Sequence, residues 1–358
     1  MPSLFKMEKP VEKKGNVGRL LRKINKFQNT WKRLETAIKF ELLQKYKMLP
    51  KGIVGNQSEV IEFIVQCFSN APELQVPLFV LFFLIYFIIL TGNITICTTV
   101  TVDPHLHTPM YWFLSNFSIL EILHTSAILP KLLTMLITQH KTISTTGCKM
   151  QLFFFMAFTC IEFFLLTVMA YDRYIAVCLP LRYHSLMNPQ LGAKYIAAVW
   201  TTGLLDPVPH NAVISQFSFC SSNQIDHFYC DITPVLKLTC SDTSTVELLI
   251  FLNGTFLLLS TFTFTCISYI LIIQTILGIK SSEGQKKAFS TCASHLTCVS
   301  IFYGTIYCLY MRPTTAYDPE KDKFLSLLNI VLVPMLNPFI YTLKNKEFKI
   351  AETSNMPR

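Results

Sequence analysis

The stretch "QLFFFMAFTCIEFFLLTVMAYDRYIAVC" (151–178) decides the fold class, because a long apolar run ends there in a pair of opposite charges. A membrane-spanning helix needs about 20 mostly apolar residues, which this stretch supplies. Asp172 and Arg173 stand side by side near its end, although charges next to such hydrophobicity are costly. The stretch therefore predicts a transmembrane helix with a pair of opposite charges near one end.

The rest of the chain repeats this apolar pattern. Of its 358 residues, 51% are hydrophobic and only 15% are charged, whereas soluble proteins carry about 25% charged residues. The runs are too long for β-barrel strands, so we predict an all-α membrane protein, a seven-transmembrane-helix bundle. Asp206, Pro207 and Pro209 interrupt the fourth span. The spans lie at about 77–101, 109–133, 149–172, 194–215, 246–275, 287–311 and 324–342.

The excess positive charge lies in residues 1–47, which hold 13 Lys or Arg and 4 Asp or Glu; the remainder is balanced. Apolar residues at helical spacing there are compatible with a membrane surface, a partner or a solvated tail, and we favour the solvated tail. We expect this basic N-terminal extension to be disordered or a gene-model artefact. The other predicted parts are an extracellular tail (48–76), the receptor bundle (77–343) and a short cytoplasmic basic tail (344–358).

A glycosylation acceptor at Asn56 precedes the first span, which predicts that the N-terminus lies outside and the C-terminus inside. The excess of Lys and Arg in the inner segments has the matching sign. Asn93, Asn116 and Asn253 fit the same acceptor pattern inside spans, where we expect no modification.

Five short stretches, in order and each at its expected span, make the chain resemble the odorant receptors of the tetrapod-type class, within the rhodopsin-like G-protein-coupled receptors. The resemblance covers about residues 55–350. It implies a small, mostly apolar, volatile ligand and a stimulatory olfactory-type heterotrimeric G protein that raises cAMP. It also implies the plasma membrane of olfactory cilia, with no nucleic acid partner. The stretches are "LHTPMYWFLSNFS" (106–118), "MAYDRYIAVC" (169–178), "HFYCD" (227–231), "KAFSTCASHL" (287–296) and "PMLNPFIYTLKNKEF" (334–348).

The resemblance gives Asp172 and Arg173 a role: Asp172 holds Arg173 at rest, and Arg173 meets the G protein when helix six moves. The plain alternative is an Arg that anchors a helix end at the membrane interface. Pro338 removes a helical hydrogen bond, and Asn337 and Tyr341 could bond the freed groups in two arrangements. The other predicted switch residues are Tyr174, Tyr269 and His295.

The predicted ligand cavity lies between the outer halves of helices three, five and six. Phe155 occupies the position where amine receptors carry an Asp, so the resemblance disfavours an amine ligand. Ordinary helix packing would use many of the same residues. The predicted ligand-binding residues are Phe155, Met156, Thr159, Cys160, Asn253, Leu257, Tyr303, Ile306 and Tyr310.

Two further acids, Glu121 and Glu162, lie deep within spans. An intramembrane acid indicates a function by default. By resemblance the pair lies where related receptors hold a sodium ion, the only cofactor expected. The alternative is that both are protonated and hydrogen-bonded to Ser118, Asn337 or each other.

Cys148, Cys220, Cys230 and Cys240 fall on the outer side, where disulfides form. Four cysteines allow three pairings. The resemblance implies the pairs Cys148–Cys230 and Cys220–Cys240.

Other classes of protein fit less well. The sequence has no phosphate-binding loop, no His-Glu-x-x-His motif and no nucleophile elbow, so we predict no enzyme. A small transporter would need internal repeats, which are absent. A chemoreceptor of this scaffold outside olfaction and a decayed family member stay open, the latter because "LDPVP" (205–209) and the tail "AETSNMPR" (351–358) depart from the family pattern.

Overall fold

The structure is a computed structural model that describes residues 61–68, 72–219, 222–279, 281–311, 318–336 and 338. These residues belong to the second of two units into which the chain divides, after residue 57. Each predicted span coincides with helical structure over its described part. The helices are α1 (Pro72–Val102), α2 (Pro109–Ser126), α3 (Leu129–Thr138), α4 (Thr145–Cys178), α5 (Tyr183–Leu186), α6 (Pro189–Leu205), α7 (Val208–Ile214), α8 (Ile232–Leu236), α9 (Ser244–Leu277), α10 (Ser282–Tyr310) and α11 (Pro319–Leu327), which continues into a π-helical turn at Leu328–Leu332.

Two of the spans are built from two helices each. The fourth breaks between α6 and α7 at Asp206 and Pro207, as the sequence predicts. The second breaks between α2 and α3 at Ala127 and Ile128, which we did not predict. Pro130 explains the second break, because it has no N–H for the carbonyl one turn earlier.

Four helical stretches in the described part of the chain are long and apolar enough to cross a membrane: Glu73–Val102, Pro109–Thr138, Thr145–Cys178 and Ser244–Leu277. The first and last of these expose large apolar side chains to their surroundings, such as Phe87 on α1 and Phe262 on α9. Soluble proteins bury such continuous apolar faces inside the protein. In a bilayer these faces contact the lipid chains, which are equally apolar.

The segment before α1 forms a strand that the sequence did not reveal. Three short strands, β1 (Glu62–Val65), β2 (Thr142–Ser144) and β3 (Gln224–Ile225), make a sheet in the order β2-β1-β3. β1 pairs antiparallel with β2, where Phe63 faces Ile143, and parallel with β3. Part of the predicted outer tail is therefore tied to the loops that cap the bundle.

Helix α4 is the central element, with α2, α6 and α9 packed around it. Its buried apolar side chains belong to the cores on several sides at once. At the crossing with α6, a Cβ on Gly203 would stand 3.0 Å from the backbone nitrogen of Ile161. Glycine is therefore required for the two helices to approach this closely.

Candidate ligand cavity and inner switch

A cavity of about 550 Å³ opens between α4, the break of α6 and α7, the outer loop, α9 and α10. Its wall is mostly apolar with a few polar groups, the usual composition of a small-molecule site. Eight of the nine predicted ligand-binding residues line it: Phe155, Met156, Thr159, Cys160, Asn253, Leu257, Ile306 and Tyr310.

Tyr303 is the exception to the predicted set. Its ring packs against Phe163 and Phe262, with centroids 5.3 and 5.4 Å away, and its side chain is buried. It does not stand among the lining residues. The sequence analysis assigned Tyr303 to the cavity with the outer half of helix six, but the aromatic cluster holds its ring inside the helix packing instead.

The wall carries three acids that the sequence-based prediction did not include. Asp206, Asp231 and Glu247 all line the wall, from the helix break, the outer loop and the start of α9. The prediction considered the position of Phe155 and therefore overlooked acids that approach from other elements. The "LDPVP" stretch, which departs from the family pattern, was the feature of the sequence that could have indicated Asp206 as a cavity residue.

The Asp206 carboxylate is held in place by its neighbours. The Asn253 Nδ2 group donates to both carboxylate oxygens, at 3.0 and 3.2 Å. Cys160, on α4, is a neighbour of the same carboxylate and lines the same cavity. Because Asp206 ends α6 and Pro207 follows, the side chain projects from a helix terminus that lines the cavity.

The outer loop contributes a second acid to the wall. The Asp231 Oδ1 atom accepts hydrogen bonds from the Tyr310 hydroxyl (2.9 Å) and from the Ile232 backbone N–H (2.8 Å). The second contact caps the short helix α8. Asp231 therefore joins the outer loop to α10 directly above the cavity.

The predicted Cys148–Cys230 disulfide is present and joins α4 to the outer loop. Gln151 reinforces the link, since its Oε1 accepts from the Cys230 N–H and its Nε2 donates to the Ala127 carbonyl, both at 2.9 Å. Cys240 is also disulfide-bonded, and its predicted partner Cys220 lies outside the described residues.

The loop is also fastened to the top of the seventh span. The Lys323 ammonium donates to Asp226 (2.9 Å) and to Glu320 (3.2 Å). Next to it, His227 is fully buried, with its Nε2 3.5 Å from the Ser326 hydroxyl oxygen. Burial lowers the pKa of His227 to about 3, and the nearby Lys323 charge acts in the same direction.

At the inner end of α4, Asp172 and Arg173 form an ion pair, with 3.5 Å between the Arg173 Nη2 and Asp172 Oδ2 atoms. Asp172 is buried and Arg173 is partly exposed. The Tyr183 hydroxyl, which the sequence did not single out, donates to Asp172 Oδ1 at 2.9 Å. Tyr174 packs between two apolar clusters beside the pair.

Tyr269 and His295, two of the predicted switch residues, contact each other across α9 and α10. The Tyr269 hydroxyl lies 2.6 Å from His295 Nδ1, and both side chains are buried. Ala170 of α4, Tyr269 of α9 and Leu296 of α10 pack in one apolar cluster. The inner parts of α4, α9 and α10 therefore meet in this cluster.

The predicted Pro338 kink has a partner on α1. Pro338 has no N–H for the Pro334 carbonyl one turn earlier, and Asn93 Nδ2 donates to that carbonyl at 3.2 Å. A Cβ on neighbouring Gly92 would lie 2.9 Å from the Pro338 ring, so glycine permits the approach. The sequence analysis predicted that Asn337 and Tyr341 would bond the backbone groups freed by Pro338. Both residues lie outside the described residues.

Glu121 and Glu162 are both buried, as predicted. Glu162 Oε2 lies 3.7 Å from His124 Nδ1, while its Oε1 atom and the buried Ser118 hydroxyl have no hydrogen-bond partner in the part of the chain described. Such hard oxygen donors fit a sodium ion. No group of three or more His, Cys, Asp or Glu in the described ranges could hold a metal ion. The predicted glycosylation site, Asn56, lies outside those ranges.

Comparisons with known proteins point to one family. A family described as "Olfactory receptor" matches residues 82–355. Olfactory receptor-like protein OLF1 of Canis lupus familiaris is 44% identical over 297 residues, which cover 83% of this chain and 96% of that protein. Olfactory receptor 6C3 of Homo sapiens is 45% identical over 83% of this chain and 95% of its own length. Olfactory receptor 6E1 of Mus musculus is 46% identical over the same shares.

Proposed function

Because this chain belongs to the olfactory receptor family, we propose that it binds a small, mostly apolar, volatile molecule in the outer cavity and activates a heterotrimeric G protein. The partner is a stimulatory olfactory-type G protein, and the response is a rise in cAMP. The family consists of receptors and not of enzymes, and the chain is a multi-pass membrane protein. We place it in the plasma membrane, at the cilia of olfactory sensory neurons.

One observation carries the proposal: a single helix, α4, joins the cavity to the Arg173 ion pair. Phe155, Met156, Thr159 and Cys160 line the cavity on its outer half, and Arg173 lies near its inner end. Helix α10 also extends from Tyr310 at the cavity towards the inner side, where its His295 contacts Tyr269 of α9. Both helices therefore extend between the ligand and the inner face.

The mechanism we propose is a shift between two populations of the bundle. A bound ligand packs against Ile306 and Tyr310 and favours the arrangement in which the inner end of α10 has moved away from α4. Arg173 then leaves Asp172 and meets the G protein. Glu121, Glu162 and Ser118 would hold a sodium ion, which would supply a positive charge to the two buried carboxyl groups while the bundle is in the resting arrangement.

The test is a cAMP reporter assay on the full chain against an odorant panel, with Arg173→Ala and Arg182→Ala compared at equal surface abundance. Arg182 is an exposed cation of the inner side and serves as the matched control. We expect Arg173→Ala to abolish the ligand response and Arg182→Ala to keep most of it. A response that survives Arg173→Ala, or a surface-expressed receptor silent to every ligand, contradicts the proposal.

A further inference from the structure

We propose that the cavity selects a protonated amine with a small apolar body, and that Asp206 is its counter-ion. This inference rests on the proposed function, since it names the ligand class of the same cavity. It reverses the expectation drawn from the position of Phe155.

The charges of the wall carry the first step. Three carboxylates line the cavity, namely Asp206, Asp231 and Glu247, and no Lys or Arg stands among its described lining residues. His210 is the one lining side chain in that set that could become cationic, and it is buried. Asp231 and Glu247 have other interactions, so Asp206 is the acid whose charge a ligand would compensate, since an unpaired charge is costly in a membrane protein.

Asp206 is the acid best placed to bind a ligand. Its described partners are neutral: the Asn253 amide donates to both oxygens, and Cys160 is the other neighbour. No cation pairs with it among the described residues. The Asn253 amide fixes the carboxylate in advance, so a ligand need not order it. A carboxylate has lone pairs for further donors, and an ammonium group supplies both the donors and the missing charge.

The rest of the wall limits the body of the ligand. Phe155, Leu257, Ile306 and other apolar side chains enclose most of the cavity, so the group attached to the ammonium must itself be apolar. The Thr159 hydroxyl oxygen is buried in the same wall and has no hydrogen-bond partner among the described residues. It provides a second polar contact for an N–H group.

The experiment uses pairs of probes that differ in one group: cyclohexylamine with cyclohexanol, and phenethylamine with phenethyl alcohol. Binding to the purified full chain is measured as the rise in melting temperature, which follows occupancy without any G protein. Signalling is measured with the cAMP reporter. The variants are Asp206→Asn, which keeps the shape and removes the charge, and Asp242→Asn, which removes an acid of the outer loop that does not line the cavity.

We expect at least one amine to stabilise the receptor while its alcohol partner does not. Asp206→Asn should raise the amine concentration needed by about tenfold or more, as for a lost charge-assisted hydrogen bond, and Asp242→Asn should leave it unchanged. Equal effects of amine and alcohol, effects of the alcohols alone, or no effect of either amine overturn the proposal. Stabilisation by an amine without any cAMP signal supports this site and contradicts the proposed signalling function.

Discussion

Gly203→Ala tests whether the close crossing of α4 and α6 holds the bundle together. A Cβ at this position would lie 3.0 Å from the nitrogen and 3.2 Å from the Cα of Ile161. The side chain of Ile161 could change its rotamer, but backbone atoms move only if the helix moves. The added methyl group must therefore push α6 away from α4.

The magnitude follows from two opposing effects. Alanine is favoured over glycine in a helix interior by about 1 kcal/mol. Overpacking a close contact costs about 1–3 kcal/mol, and the upper end applies where backbone atoms are in the way. We expect a net loss of about 2 kcal/mol for Gly203→Ala. Gly192, on the same helix, is the matched control, because the nearest atom to its added Cβ would be 3.8 Å away, which is ordinary contact. Gly192→Ala should therefore be neutral or stabilising.

The assay is thermal unfolding of the detergent-purified receptor, followed by a dye that reacts with exposed thiols. Cys160 and Cys298 are free and buried, so they report loss of the helix packing. Gly203→Ala should melt a few degrees below the unchanged chain, whereas Gly192→Ala should melt at or above it. If Gly203→Ala melts as high as Gly192→Ala, the helices have room for a methyl group and the reasoning is wrong.

Three further changes probe other contacts with the same melting assay. Asn93→Leu removes the donor to the Pro334 carbonyl and should cost about 1–3 kcal/mol; an unchanged melting temperature would show that another group serves that carbonyl. Cys148→Ser opens a disulfide that spans 82 residues and should cost about 4 kcal/mol, while Cys308→Ser, at an exposed free cysteine, should cost little; equal effects would contradict this. Acid should lower the free energy of unfolding through His227. The pKa of this histidine is 6.5 in the unfolded chain and about 3 in the folded chain, so between these pH values only the unfolded chain takes up the proton. The loss should reach about 2 kcal/mol by pH 5, and His227→Gln should remove that part of the pH dependence.

The helices were predictable because each depends on its own stretch of sequence. A run of about 20 apolar residues determines a span wherever the rest of the chain goes, and the breaker pair Asp206–Pro207 determines where α6 ends. The Asp172–Arg173 pair and the Cys148–Cys230 disulfide came from the resemblance, and the structure contains both. Local sequence patterns and family motifs were therefore enough to predict the helical spans, the ion pair and the disulfide.

Contacts between distant residues were not predictable in the same way. Asp206, Asp231 and Glu247 meet at one cavity although they lie in three different elements. The strand Glu62–Val65 carries too few residues for a pattern, and it becomes a strand only because two loops offer it partners. Tyr183 reaches Asp172 from a loop helix, and no spacing rule links the two.

The break in the fourth span and the acid within it are one feature. An unbroken helix would use every backbone group internally and would have no reason to place a carboxylate near the membrane interior. Pro207 interrupts the helix at the level of the cavity, and Asp206 lies at the terminus that the break creates. Asn253, which matches a glycosylation pattern by chance, then fixes the carboxylate from α9. A chain that had only lost its function would have no need for a helix break that brings Asp206 and Asn253 together on one cavity wall, whereas a cavity that binds a cation would use both residues.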